Sequence, residues 1–197
     1  MNEIKKLSEL DEYQVNQSID VFVEGFYNVF SRISKDKKKL HKLFKNSFNY
    51  DISYAYLQEG EAVGFLGIAD YQKRPLKLNR EIFIETIGGI GGKISYKMMS
   101  AVLEKPHIIG PAEIYIDYLA TSPEHRSKGI GKQLIEFVRD TLGYKQILLE
   151  VFTKNTRAIA FYERFGFKQI KIQSNIITML QGFGKPITMR MDSDYFI

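Results

Sequence analysis

The sequence predicts a mixed α/β fold, in which one central sheet is flanked by helices. Three observations support this: an early helical part, a hairpin pattern after it, and alternating strands and helices from residue 112 onward. The chain has 197 residues, which is long enough for one domain with a hydrophobic core. Because no internal repeat or Pro/Ser-rich linker divides it, residues 1–197 are predicted to form a single domain.

The N-terminal half is predicted to contain a short strand, two helices and a hairpin. The strand is expected in IKKLSEL, at residues 4–10. Apolar residues at helical spacing predict a helix over residues 15–33, and a second, basic helix follows at about 36–46. Two apolar runs around QEGE predict the hairpin. The less regular stretch up to residue 111 is expected to hold one or two helices and a Gly-rich joint at 88–92.

The C-terminal half gives a sharper pattern. AEIYIDYLAT, from residue 112, is predicted to be a strand, and residues 129–142 a helix that Gly143 ends. QILLEVF is apolar on both faces, so we predict a central strand parallel to the preceding one. Asn155 is expected to cap a short helix that ends before Gly166. FKQIKIQ and PITMRMD supply the late strands.

Composition narrows the function classes. The chain has no cysteine, which excludes disulfides, thiolate-bound metals and a Cys nucleophile. Its three histidines show no metal-ligand spacing, so no metal is expected. The basic segment 34–45 is interpreted as a solvated helix face, so no nucleic-acid partner is expected. The sequence has no run of about 18 uncharged apolar residues, so no membrane partner is expected either. No export signal is visible, and a cytoplasmic location is the default expectation.

A glycine-containing loop separates the strand at 112–121 from the next helix. A P-loop is not supported, because its pattern would need Gly at 126 and Ser or Thr at 133, where Arg and Gln stand. A dinucleotide fingerprint would need a third glycine at 134, which is Leu. The remaining pattern, Arg126-x-x-Gly129-x-Gly131, opens a helix, and its N–H groups are suited to hold a phosphate. A plain strand-to-helix turn is the alternative interpretation.

A second motif, LEVFTKNTRAIAFYERFGF, follows that helix. Together with LATSPEHRSKGIGKQLI it resembles the GNAT superfamily of acyl-CoA-dependent N-acetyltransferases, over roughly residues 112–169. The first block resembles the family's strand, [RQ]-x-x-G-x-[GA] loop and helix, and the second resembles its N-x-x-A-x-x-F-Y-E-R-F-G-F motif. Upstream of residue 112 the resemblance is only in outline.

The resemblance implies a V-shaped split between the two parallel central strands, which takes the pantetheine arm of acetyl-CoA. Backbone groups of Leu119 and Thr121, with Ala120 between them, are implied to bond the arm, and Asn155 to contact it. The implied diphosphate site is the loop and helix start, made of Arg126, Ser127, Lys128, Gly129, Ile130, Gly131 and Lys132. Tyr162 is implied to assist the departing thiolate.

The identity of the general base stays open among three choices. Glu150 interrupts an apolar strand, on the face shared by Leu148 and Phe152. Because a charge within such a strand is costly unless it is paired or hydrated, a functional role is one explanation for it. Asp117 is its rival, placed on the strand face of Tyr115 and Leu119. Water or an upstream residue is the third choice.

The predicted function is therefore transfer of acetyl from acetyl-CoA directly to an amine, without a covalent acyl-enzyme. The acceptor would be a small amine, an antibiotic or a protein amine, and a homodimer is left open. Two other classes compete: a CoA-binding sensor without turnover, and a basic interaction module that uses the 34–45 helix.

Overall fold

The computed structural model describes residues 2–174, 179 and 182–193, and within them a seven-stranded sheet. Its strands are β1 (Asn2–Lys6), β2 (Ser53–Gln58), β3 (Glu61–Ala69), β4 (Glu113–Thr121), β5 (Gln146–Phe152), β6 (Lys168–Ile172) and β7 (Pro186–Asp192). The helices are α1 (Glu12–Gly25), α2 (Tyr27–Phe30), α3 (Lys37–Lys45), α4 (Arg80–Ile87), α5 (Gly89–Leu103), α6 (Ile130–Thr141) and α7 (Thr156–Arg164). Short 3-10 turns lie at Leu7–Glu9, Tyr50–Ile52 and Pro123–His125.

The sheet is mixed, with the strand order β1-β2-β3-β4-β5-β7-β6. Every neighbouring pair is antiparallel except β4 and β5, which run parallel with α6 as their crossover. The predicted hairpin is confirmed, because β2 and β3 meet at a turn where Glu59 and Gly60 both have positive φ. The parallel central strand at 146–152 and both late strands are also confirmed.

Helices cover both faces of the sheet. α1 and α3 pack with β2, β3 and β4 around one cluster, in which Phe22 is fully buried and its ring meets six other aromatic rings. α6 packs on the opposite face, where Leu134, Ile135 and Val138 are buried against β4 and β5. The split between the parallel strands therefore lies between two packed layers.

The helix predicted over residues 15–33 is two helices. α1 begins at residue 12, where the Asp11 carboxylate caps it by accepting from the Gln14 N–H at 2.8 Å, and it ends at Gly25. A Cβ added to Gly25 would lie 2.5 Å from the Cβ of Ala120, so α1 reaches β4 only because this residue is glycine. The short α2 follows after Phe26, whose φ of −111° and ψ of 15° interrupt the helix.

The irregular region between β3 and β4 is a helical hairpin. Gly88, with a φ of 98°, joins α4 to α5, and a Cβ on Gly92 would lie 2.4 Å from the Phe83 carbonyl oxygen. Gly88 therefore allows the sharp turn between the two helices, and Gly92 allows them to pack closely. Among the described residues, no helix is both long and apolar enough to cross a bilayer.

Candidate active site

The parallel pair β4 and β5 opens partway along its length. Pairing runs from Glu113 with Gln146 to Ile116 with Leu149, and it stops there. β4 continues along β3 to Thr121, so its edge toward β5 has no strand partner beyond Ile116. A cavity of about 490 Å³ lies at this split, lined by parts of α1, α2, β4, β5 and α7 and by Gly182 and Phe183. The V-shaped split predicted from the sequence is therefore present.

A β-bulge at Asp117 marks the point of divergence. Tyr118 pairs with Gly67 and Ile116 pairs with Ile68, so Asp117 is an extra residue in β4. The bulge interrupts the alternation of side chains: Tyr115 packs with Ala69 and Leu148, whereas Leu119 packs with the cluster of α6. The expectation that Tyr115 and Leu119 share one face was wrong for this reason.

The loop before α6 presents a row of unused backbone donors. Arg126 N–H donates to the Pro123 carbonyl and Gln133 N–H to that of Gly129. Between them, the six N–H groups of residues 127–132 have no acceptor among the described residues. Gly129, the residue that caps α6, provides no side-chain cap. The helix dipole and these amides together suit an anion with several oxygens.

The loop's conformation produces this row. Ser127 and Gly129 have φ values of 64° and 85°, so the chain turns twice in quick succession. Arg157, from the first turn of α7, donates to the Ser127 hydroxyl at 3.3 Å. The side chains of Arg126 and Lys128 are exposed, and no ion pair involves either within the described residues. Four guanidinium or ammonium groups, counting Lys132, thus lie on or beside this loop.

Gly131 has a packing role as well. A Cβ there would lie 3.2 Å from the Phe161 ring and 3.6 Å from the Leu119 side chain. Ile130 and Ala120 are buried in the two cores, so only their backbone groups face the loop and the split. Lys132 forms an ion pair with Glu136 one turn along α6 at 3.6 Å, and it remains exposed.

α7 places Asn155 and Tyr162 along one wall of the cavity. The side-chain Oδ1 of Asn155 accepts from the Ala158 N–H at 3.2 Å, which confirms Asn155 as the helix cap. Tyr162 packs edge-on against Phe161 and Phe167, and its hydroxyl has no hydrogen-bond partner among the described residues. Burial raises the pKa of Tyr162 to about 12, so it carries its proton throughout the physiological range.

Glu150 is the first residue of β5 beyond the last pairing with β4. Its side chain is exposed in the opening and lines the cavity. The protein around the opening partly desolvates the Glu150 carboxyl and so raises its pKa. His107 and Lys105, which lie nearby, oppose this rise. A carboxylate that is accessible yet more basic than usual suits proton removal from an incoming group.

Asp117, the rival carboxylate, is held in an ion-pair cluster instead. Its side chain is only 6% exposed, although it also borders the cavity. Arg74 approaches both carboxylate oxygens, with Nε 3.1 Å from Oδ2 and Nη2 3.3 Å from Oδ1. His107 Nε2 lies 2.6 Å from Oδ1, and its ring stacks on Tyr115 at 3.6 Å. Oδ1 takes the hydrogen-bond contacts of both partners, whereas the buried Oδ2 has only the charge contact with Arg74 Nε and no hydrogen bond among the described residues. Because the carboxylate is buried against a fixed guanidinium, Asp117 is better suited to anchoring than to accepting a substrate proton.

The rest of the chain supplies no metal centre in its described part. No group of three or more His, Asp or Glu side chains there is arranged to hold an ion. The lining of the opening includes the accessible carboxylate of Glu150 and the phenol of Tyr162.

The opening, the row of amides and the order of strands are features of a known family. The GNAT acetyltransferase family model matches residues 19–167. The chain belongs to the GNAT acetyltransferase family. The ribosomal protein bS18 alanine N-acetyltransferase of Salmonella typhimurium is 34% identical over 76 residues, which are 37% of this chain and 51% of that protein. The chain thus spans about half the length of this curated relative.

Solved structures share the fold over nearly the whole chain. The ribosomal-protein-S18-alanine N-acetyltransferase of Escherichia coli aligns with 100% of this chain and 97% of its own, at a TM-score of 0.59 and 18% identity. PH1933 from Pyrococcus horikoshii aligns over 98% of this chain and 99% of its own, at a TM-score of 0.60 and 20% identity. At these identities the likeness establishes the fold.

Sequence reasoning missed two residues of this GNAT site. Arg74 and His107 flank the helical hairpin between β3 and β4, in the stretch with no recognisable motif. The sequence indicated only that Asp117, a charged residue within an apolar strand, needs a partner of opposite charge. It did not indicate which residues provide that partner.

Proposed function

We propose that this GNAT protein transfers an acetyl group from acetyl-CoA directly to an amine, with residues 1–197 acting as one domain. The observation that carries the proposal is the continuity of three features: the free edge of β4, the six unpartnered amides at 127–132, and Glu150 at the start of the split. An extended arm with a diphosphate at one end and a reacting group at the other fits this arrangement.

The binding roles follow from the donors available. The amides of residues 127–132 would hold the diphosphate, with Arg126, Lys128 and Arg157 close enough to add positive charge. The open edge of β4, at Leu119 and Thr121, would bond the pantetheine amides as an added strand does. Asn155 and Tyr162 would line the other side of the arm.

The chemical roles are divided among three groups. Glu150, directly or through water, takes a proton from the ammonium form of the acceptor, which has a pKa near 8 on a peptide N-terminus and near 10.4 on an alkyl amine and cannot attack while protonated. The Leu119 N–H stabilises the oxyanion that forms when the amine nitrogen bonds to the thioester carbon. The C–S bond then breaks, the attached nitrogen loses its second proton to water to leave the amide, and the departing thiolate, which accepts a hydrogen bond from the Tyr162 hydroxyl, takes up a proton from water. No covalent acyl-enzyme is required.

The acceptor class proposed is an amine on a polypeptide or a small molecule. The curated relative from Salmonella is named for acetylating an alanine of a ribosomal protein, so peptides with N-terminal alanine are the first acceptors to try. Among small molecules, polyamines and aminoglycosides are the amines to test.

An acceptor screen with acetyl-CoA tests the proposal, with free CoA thiol as the readout. Because the protein has no cysteine, it adds no background to a thiol reagent. We expect at least one amine to accelerate thiol release above the rate with water alone. Tight acetyl-CoA binding without any accelerating amine would favour a CoA-binding protein without turnover.

Reversing the charge of Lys128 is expected to weaken CoA binding at least tenfold, or about 1.4 kcal/mol. Lys128→Glu puts a carboxylate beside the amides without burying or crowding a side chain, because Lys128 is exposed. Gly131 is less suitable, since any side chain there meets Phe161. Lys42→Glu on α3 is the matched control, since it changes the net charge equally. Calorimetric titration with CoA measures both, and equal affinities would contradict the proposed diphosphate site.

Replacing Glu150 with Gln is expected to lower turnover most near neutral pH. The defect should shrink as the pH approaches the amine's own pKa, where the free amine no longer needs a base. In the native protein, the acidic limb of kcat/KM should lie above 4.5, the ordinary glutamate value, because burial raises the pKa of Glu150. A pH–rate profile unchanged by Glu150→Gln would remove Glu150 from the reaction.

The same variant separates catalysis from stability. A carboxyl whose pKa is higher in the folded chain than in the unfolded chain stabilises the fold below its unfolded pKa, and this contribution is lost as the pH rises through the folded pKa. Glu150→Gln should therefore leave the melting temperature at pH 7 equal or higher. A lower melting temperature would instead identify Glu150 as a structural residue.

A further inference from the structure

The outer face of α5 carries a row of large apolar side chains. Ile90, Ile94, Met98 and Val102 are 77%, 55%, 60% and 68% exposed, and they recur at every fourth position. Successive helical residues are 100° apart, so these four positions span an arc of about 120°. Gly91 and Ala101 are exposed and fall in the same arc. We call this arc the α5 face.

The α5 face is not the side on which α5 packs. Gly92 meets the backbone of α4, and Met99 and Leu103 pack against the core on the opposite side of the helix. Nothing among the described residues covers the α5 face. Contiguous apolar surface of this kind on a folded protein usually marks a contact with another molecule.

Unpaired positive charge borders the α5 face. Lys93 and Lys97 are exposed along one side of it, and Lys105 is exposed just beyond the end of the helix. None of the three has an ion-pair partner within residues 2–174, 179 and 182–193, unlike Lys37, Lys45 and Lys132. The occupant is therefore expected to be apolar where it meets the α5 face and negatively charged beside it.

The side-chain chemistry favours a lipid surface over a folded protein. The α5 face contains only aliphatic, methionine, alanine and glycine residues, whereas protein interfaces draw their affinity from Trp, Tyr and Arg. Lysine is depleted in protein interfaces, but it attracts anionic headgroups and its long stem keeps the charge in the aqueous layer. We propose that the α5 face docks on an anionic phospholipid surface.

Docking would attach the lipid surface to a helix that is fixed to β4. Arg74 ties the end of α5 to β4, because its guanidinium donates to the carbonyls of Leu103 and Lys105 while it pairs with Asp117. Only the helical hairpin would contact the lipid, at its surface, so the contact differs from a membrane span. The inference does not depend on the acetyl transfer proposed above.

Co-sedimentation with vesicles tests the proposal, using the full chain. We expect binding to phosphatidylcholine vesicles that contain a quarter phosphatidylglycerol, little binding to pure phosphatidylcholine, and release in 0.5 M salt. Ile94→Gln combined with Met98→Gln should weaken binding at least tenfold. Lys93→Gln combined with Lys97→Gln should weaken it roughly twenty- to thirtyfold.

Matched variants control for general surface effects. Ile170→Gln combined with Ile172→Gln removes an equally exposed apolar pair on β6, and Lys38→Gln combined with Lys39→Gln removes two exposed lysines from α3. Both should bind vesicles as the native protein does, and thermal melts confirm that every variant is folded.

Three outcomes would overturn the proposal. One is absence of binding to the anionic vesicles, and another is an equal loss in the control variants. The third is self-association in sedimentation velocity that the Ile94/Met98 variant abolishes while vesicles bind nothing, which would assign the α5 face to a second copy.

Discussion

Replacing Asp117 with Asn is expected to destabilise the fold by about 3 to 5 kcal/mol. The substitution keeps the shape of the side chain but removes the negative charge that pairs with Arg74. The largely buried Arg74 guanidinium then has no carboxylate to compensate its charge. For a chain of this length, each kcal/mol lowers the melting temperature by about 2–4 °C, so a fall of roughly 6–20 °C should be seen by circular dichroism.

Asp20→Asn is the matched control for Asp117→Asn. Asp20 also lies 2.6 Å from a histidine nitrogen, that of His41, but its side chain is 69% exposed, so the loss should stay within about 1 kcal/mol. Equal melting temperatures for the native protein and Asp117→Asn would show that the cluster does not anchor β4. Asp117 would then return as a candidate for the general base.

Replacing Tyr162 with Phe is expected to lower kcat by roughly tenfold to a thousandfold. The change keeps the ring that packs on Phe161 and Phe167 and removes only the hydroxyl, which has no other partner in the described part of the chain. With its pKa near 12, this phenol is a weaker acid than a thiol of ordinary pKa, about 8.5. It should therefore stabilise the thiolate by a hydrogen bond rather than by complete proton transfer.

Two further measurements isolate that role. A thioester with a better leaving thiol should narrow the gap between Tyr162→Phe and the native protein. Tyr54→Phe is the control, because Tyr54 is also buried with a raised pKa but lies away from the cavity. Full activity of Tyr162→Phe with acetyl-CoA on its best acceptor would make Tyr162 a packing residue only.

Local patterns predicted most of the architecture. The C-terminal half was predictable because its strands and helices carry their own periodicity, caps and glycine stops, as at Asn155 and Gly166. The break in the N-terminal helix was not, because the apolar residues keep helical spacing across Phe26, and the close approach of Gly25 to Ala120 involves a residue distant in sequence. The hairpin of α4 and α5 was foreseen only as one or two helices around a joint.

The candidate site divides in the same way. The loop at 126–131 is contiguous, so its spacing alone indicated a helix-start anion site. The partners of Asp117 lie 43 and 10 residues away, and no local pattern links them to it. Only the three-dimensional contacts distinguish the anchored Asp117 from the accessible Glu150, since both are single acidic residues within apolar strands.

The bulge in β4 has a consequence for sequence change. A substitution changes one side chain but leaves unchanged which residues of the strand point to each face of the sheet. Removing one residue at 117 would reverse the faces of all residues on one side of it, moving either Tyr115 or Leu119 out of its cluster. The length of β4 is therefore constrained as well as its buried side chains, and most single replacements in β4, apart from those at Asp117 and Ala120, should be tolerated better than a single-residue insertion or deletion.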